Sequence, residues 1–143
     1  MTRKDWTLIA ICAAKEKGLS PVQLQKSLFL LGREMKKQVG ANFYKFAPYH
    51  YGPFDRTVYD DASSLAEEGF VMITRRPGEN WNRYIITTAG CDRAAVLRGA
   101  APQDAVEYLE RVVSWALRQT FQGLVREIYE RYPDMKVNSV FHG

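Results

Sequence analysis

The stretch FYKFAPYHYGPFDRTVYDDASSLAEE, from Phe43 to Glu68, decides how this chain folds. Seven aromatic rings (Phe43, Tyr44, Phe46, Tyr49, Tyr51, Phe54 and Tyr59) fall within seventeen residues, punctuated by Pro48, Gly52 and Pro53. Proline and glycine at that density break a helix, and the run is too irregular for a strand. The reading is an ordered aromatic loop that enters a helix at Asp55, held to the core by the area its rings bury. Tyr49-His50-Tyr51-Gly52-Pro53 reads first as structure: rings wedged against helices, hydroxyls on backbone carbonyls, and a turn at Gly52-Pro53. On that reading Tyr51 is buried. Tyr49 and Phe54 are the rings that fit an exposed anchor for a partner protein, because tyrosine and arginine dominate interface hot spots.

Upstream, Leu8, Ile9, Cys12 and Ala13 recur at helical spacing within residues 4–17, and Gly18 stops that helix. Ser20-Pro21-Val22-Gln23 then supplies an N-cap, a first-turn proline and a capping-box glutamine. The helix it starts carries Leu24, Leu28, Leu31 and Met35 on one stripe, with Lys36-Lys37 at its end and Gly40-Ala41-Asn42 closing it. Phe43 to Phe46 alternates enough for a short strand or extended arm.

Downstream, Asp55 is placed to cap a third helix with Val58, Ala62 and Leu65 on one face, and Gly69 ends it as a left-handed cap. Two apolar runs, 71–76 and 81–87, flank Pro77-Gly78-Glu79-Asn80 and predict a β-hairpin. Thr88 opens a fourth helix, Pro102 a fifth with Val106, Leu109, Val113, Ala116 and Leu117, and a sixth surrounds Phe121, Leu124, Val125, Ile128 and Tyr129. The fold class is therefore α+β and mostly helical: a winged-helix-like core of helices plus one β-hairpin over residues 1–99, and C-terminal helices over 100–143, in a single domain 1–143. The stripes place Leu24, Leu28, Leu31, Val58, Leu65, Phe70, Ile73 and Ile85 in one core.

At 143 residues, 46% hydrophobic and 25% charged, the composition is that of an ordinary globular protein. The N-terminus is too charged for a signal peptide and no apolar run reaches bilayer length, so a cytoplasmic protein with no membrane association is expected. Cys12 and Cys91 read as small buried hydrophobes rather than a disulfide or metal pair. His50 and His142, the two histidines, lack the neighbours of a metal site, and no nucleotide-binding or nucleophile-elbow motif occurs. The expectation is no catalytic residue, no metal, no cofactor and no enzymatic activity.

The net charge of +4 hides a polarity along the chain. Residues 1–54 hold nine Lys/Arg against three acids, whereas residues 55–69 set Arg56 against five acids. Asp60, Asp61, Glu67 and Glu68 read as a solvated face, or more sharply as an acidic docking surface led by Asp60 and Asp61. Arg56 on the third helix, with Arg75, Arg76 and Arg83 across the hairpin, are the candidate nucleic-acid contacts.

The pattern Tyr44-x-Phe46, Tyr51-Gly52-Pro53, Val58-Tyr59, Leu65 and Gly69 resembles the signature of the Panacea-type (SocA-like) antitoxin and adaptor family and of the related YwgA-like proteins. The likeness covers about the first 90 residues. It implies bacterial or phage origin, a helical domain with a winged-helix-like hairpin, and a non-catalytic role in binding another protein, often a toxin. Two functions follow as expectations: an antitoxin-like or proteolytic-adaptor-like interaction module, with a toxin or protease component as partner, or a winged-helix DNA-binding regulator. An acidic third helix and a fifteen-residue aromatic loop before it disfavour the second, leaving weak DNA binding as the expectation. A monomer or homodimer is expected.

Overall fold

Two capping boxes set the start of the fold in the computed structural model, which describes residues 1–142. Thr2 accepts from the Asp5 amide while the Asp5 carboxylate accepts from Thr2 N, and helix α1 runs Arg3–Ala13. Ser20 and Gln23 repeat the arrangement at α2, Pro21–Glu34, with Pro21 in its first turn. Each such cap is worth about 1 kcal/mol. A 3₁₀ turn over Lys15–Lys17 and Gly18, at φ 68°, turn the chain between them. The second helix stops earlier than its sequence suggests. Met35 leaves helical geometry at φ −119°, ψ 42°, and a separate short α3 covers Lys36–Val39.

The sequence reading of one hairpin is corrected to two. Phe43–Phe46 is not a strand. The aromatic loop instead holds β1 (Ala47–Tyr49) and β2 (Gly52–Phe54), antiparallel, with Tyr49 opposite Gly52 and Pro48 opposite Pro53. The prolines survive in a ladder because hydrogen-bonded and non-hydrogen-bonded pairs alternate. With Tyr49 and Gly52 closing a two-residue turn, the proline pair falls where no N–H is needed. Gly52, at φ 107°, holds a backbone conformation that side chains resist.

Helix α4 follows over Thr57–Glu67. Its first turn is capped by Asp55, whose Oδ1 accepts from Thr57 N (2.9 Å) and Thr57 Oγ1 (2.6 Å), although Arg56 is the flanking residue. Gly69 at φ 83° ends it, and Phe70 N returns to Leu65 O at 3.0 Å. Strands β3 (Val71–Thr74) and β4 (Arg83–Ile86) form the second hairpin. Leu19 joins its edge through reciprocal 2.9 Å bonds with Tyr84. Helix, bridge, helix, helix, hairpin is the order of a winged helix, with β1–β2 inserted before its third long helix. The next cap is Thr87, one residue before the expected Thr88: its Oγ1 accepts from Gly90 N and donates to Gly69 O. Helices α5 (Thr88–Ala100), α6 (Gln103–Leu117) and α7 (Phe121–Arg131) complete the described chain, followed by a 3₁₀ turn at Pro133–Lys136.

Helix α2 is the axis. Every residue from Leu24 to Leu31 is buried, because α1, α6 and β2 cover different sides of it. The main core gathers Trp6, Ile9, Leu24, Leu28, Leu31, Val58, Leu65, Leu109 and Val113. A smaller cluster of Phe29, Leu30, Val112, Ile128, Tyr132 and Met135 lies on the far side of the same helix. Phe70, Ile73 and Ile85 are half-buried rather than central, and Tyr84 takes the buried place on β4. Of the cysteines, Cys12 is half-buried and Cys91 exposed, which corrects the reading of both as core residues.

Candidate functional site

The β1–β2 hairpin is anchored at both ends. At its exit the Gln25 amide spans the Asp55 peptide, donating to Asp55 O (2.9 Å) and accepting from Asp55 N (3.1 Å). The Asp55 carboxylate also accepts from Lys45 N at 2.8 Å, tying the two ends of the loop together. At the tip, Val140 N donates to His50 O, and Asn138 Nδ2 to Pro48 O. The C-terminal segment thus lies along β1, and Tyr129 steadies it by donating to Ser139 Oγ at 2.7 Å.

So held, the hairpin presents rings outward. Tyr49 is stacked on His50 (4.2 Å between centroids) and on Phe54 (5.0 Å). Tyr51, expected in the core, is 44% exposed, with its ring edge-to-face on Phe121, itself 41% exposed. The tight Tyr49–Gly52 closure leaves Tyr51 at the surface of the turn, where it meets Phe121 and edges the chamber described below. Tyr49 is 49% exposed. Phe54 and Tyr59 stand edge-to-face behind it, and burial pushes the Tyr59 phenol up to about 12.

Between this hairpin, α2 and α4 lies a chamber of about 170 Å³, lined by Val22, Gln25, Lys26, Tyr49, Tyr51, Gly52, Pro53, Phe54 and Tyr59. Lys26 is 4% exposed. Burial alone pulls its pKa down to about 8. Among the described residues no carboxylate lies within ion-pair reach of its Nζ. A Cβ on Gly52 would sit 3.5 Å from both its Cε and Nζ. The arrangement can hold an apolar group against stacked rings and offer three N–H donors from the floor.

The other candidates from the sequence scatter. Asp60 is exposed on α4, but Asp61 turns inward: it accepts from Tyr44 OH (2.6 Å) and pairs with Arg3 (3.2 Å). Burial, then the bond to Asp61, holds the Tyr44 phenol well above its usual range. Arg83 is clamped by Glu79 at 2.8 Å in a half-buried pair, and Arg83 and Arg76 both donate to Lys17 O. Arg75 reaches Asn82, and Arg56 is exposed at the start of α4. The basic wing is thus largely committed to its own hairpin. Cys12 and Cys91 line a cleft on the α1–α5 side with Arg98, whose Nη1 is 3.5 Å from Cys12 Sγ. Burial pushes the Cys12 thiol up, against the nearby guanidinium.

Sequence reasoning missed Lys26, Tyr51 and Phe121 as members of the site. Lys26 stands two residues from Leu24, off the Leu24–Leu28–Leu31 stripe, and so reads as solvent-facing. The signal available was Ser27-Leu28-Phe29-Leu30-Leu31, too apolar for a helix with a wet face. Among the described residues no cluster of three or more His, Cys, Asp or Glu could hold a metal ion, and no helix is long and apolar enough to cross a membrane. Comparison with known proteins finds no matching family model, curated protein or solved structure.

Proposed function

We propose that this protein is a non-catalytic protein-interaction module, antitoxin-like or adaptor-like, whose partner docks on the β1–β2 aromatic hairpin. The observation that carries the reading is the set of linked rings at that hairpin, with Tyr49, His50, Tyr51 and Phe121 exposed and Phe54 half-buried behind them. Tyr49 stacks on His50 and on Phe54, Tyr51 meets Phe121, and Tyr49, Tyr51 and Phe54 line one chamber. Large rings held in fixed rotamers by their neighbours are what interface anchors need, because little side-chain entropy is lost on binding. The hairpin's covalent and hydrogen-bonded tethers favour a partner site formed before binding. The Panacea-like pattern falls on the same residues, Tyr44 to Tyr59, and its implied role is protein binding.

The test places a photo-crosslinking phenylalanine analogue at Tyr49 or Tyr51 in the full chain, expressed in its native cell. The captured partner is then purified and titrated against wild type, Tyr49→Ala and Phe54→Ala. The expected result is at least a tenfold loss of affinity in both variants. The melting temperature should be unchanged for exposed Tyr49→Ala and lowered for half-buried Phe54→Ala, which is titrated where it remains folded. Partner binding indifferent to Tyr49, Tyr51 and Phe54 would overturn the reading. So would nanomolar, sequence-specific duplex binding lost on Arg56, Arg75 or Arg76 substitution.

A further inference from the structure

A lysine buried along its stem, whose ammonium meets no protein partner among the described residues and edges an open chamber, points to a ligand. Lys26 lies at the middle of α2, almost wholly enclosed, at the floor of the aromatic chamber. The polar side chains beside it in sequence and at the hairpin exit are engaged elsewhere. The Gln25 amide is consumed by the Asp55 peptide, and the Asp55 carboxylate by Lys45 N and Thr57. The remaining lining is Val22, Gly52, Pro53, Phe54 and three tyrosines, none of whose hydroxyls is hydrogen-bonded to Lys26. Gly52 lies against the ammonium: a Cβ there would rest in ordinary contact, 3.5 Å, with Cε and Nζ. In the groove between α6 and α7, by contrast, Arg131 is paired with Glu127 at 2.9 Å.

The complement of one cation in an apolar chamber is a monoanion with an apolar body. A phosphate group carries more charge and more hydration than one lysine and a ring of phenyl edges can replace. A side-chain carboxylate of Asp or Glu brings no apolar body to fill the rings, and a mid-chain segment brings peptide groups for which the lining has few partners. A C-terminal residue has an apolar side chain and a carboxylate on one carbon atom, and its size suits about 170 Å³. Resting on the interaction-module reading above, we propose that the chamber captures the free C-terminus of the partner protein, with its terminal carboxylate on Lys26 and its last, apolar side chain between the Tyr49, Tyr51 and Phe54 rings.

The probes are three: the peptide acetyl-Ala-Ala-Phe with a free carboxylate, the same peptide as its C-terminal amide, and 3-phenylpropionate. Binding is followed through the amide resonances of Tyr49, Gly52 and Phe54 in the full chain. The free acid should shift these resonances saturably and bind at least tenfold tighter than the amide. In Lys26→Met the difference between acid and amide should vanish while the fold persists. Tyr49→Ala should weaken acid and amide alike, since it removes a ring and no charge. Equal binding of acid and amide to wild type, or no binding at millimolar peptide, would overturn the proposal. So would acid preference that survives in Lys26→Met, or 3-phenylpropionate binding as tightly as the peptide. If the proposal fails while a purified partner still depends on Tyr49 and Phe54, the interaction-module reading stands without it; if that dependence is also absent, both fall.

Discussion

Replacing Lys26 by methionine should stabilise this protein at neutral pH. Methionine keeps the unbranched reach of the lysine stem and removes the charge that burial penalises. The penalty can be read from the proton affinity of the folded chain: the Lys26 pKa falls from an ordinary 10.5 to about 8. At 1.36 kcal/mol per tenfold change in proton affinity, holding the ammonium inside costs roughly 3 kcal/mol. For a chain of this size that is a rise in Tm of ~10 °C. The sign in pH follows from linkage. Between pH 8 and 10.5 the unfolded chain binds a proton at this site and the folded chain does not, so stability contributed by Lys26 rises across that window. Below pH 8 the penalty is present in full.

The assay is urea unfolding of wild type, Lys26→Met and Lys26→Arg at pH 7 and pH 10.5. The methionine variant should lead wild type by about 3 kcal/mol at pH 7, and the lead should shrink towards zero at pH 10.5. Tyr49, Tyr51 and Tyr59 also line the chamber, and both proteins carry them. Arginine keeps its charge throughout and should be the least stable, with no recovery at high pH. A methionine variant less stable than wild type at pH 7, or a difference that does not change with pH, would refute the account of Lys26 as an uncompensated buried charge.

Other substitutions probe the frame around the site. Tyr51→Ala should cost no more than about 1 kcal/mol in thermal unfolding, against ~3–5 for a fully buried ring, because Tyr51 meets solvent and Phe121. Gly90→Ala should destabilise by about 1–3 kcal/mol or more, measured by urea denaturation, since its Cβ would lie 2.0 Å from the Phe70 carbonyl oxygen. Tyr44→Phe should cost about 1–3 kcal/mol in the same assay, because it removes the phenol that joins Thr7 Oγ1 (2.7 Å) to Asp61 (2.6 Å). Iodoacetamide at pH 7.5 should label exposed Cys91 well before Cys12, whose thiol is pushed up by burial; peptide mapping by mass spectrometry would show the order.

The elements most legible in the sequence were those with local causes. Ser20-Pro21-Val22-Gln23 names a helix start because its capping bonds reach only three residues, and Gly69 names a helix end because its φ of 83° is local. The β3–β4 hairpin was legible for the same reason, its Pro-Gly turn lying between two apolar runs. The inserted hairpin was not, because its prolines argue against a strand unless the register is known. Once Tyr49 faces Gly52, both prolines fall on positions that need no donor. Helix α2 was legible as a helix but not as the axis. Period analysis assumes one dry and one wet face, and this helix is enclosed on several sides at once. The site lies in that gap. A charge on a helix with no wet face must find a partner or open onto a void. Arg33, where the helix end emerges into solvent, has both water and a partner, Asp134 at 2.8 Å, with the rings of Phe29 and Tyr132 beneath its guanidinium. Lys26 finds none among the described residues and opens onto the chamber. The feature that makes it costly to the fold is therefore the one that makes it selective for a ligand, because only an arriving anion restores what burial removed.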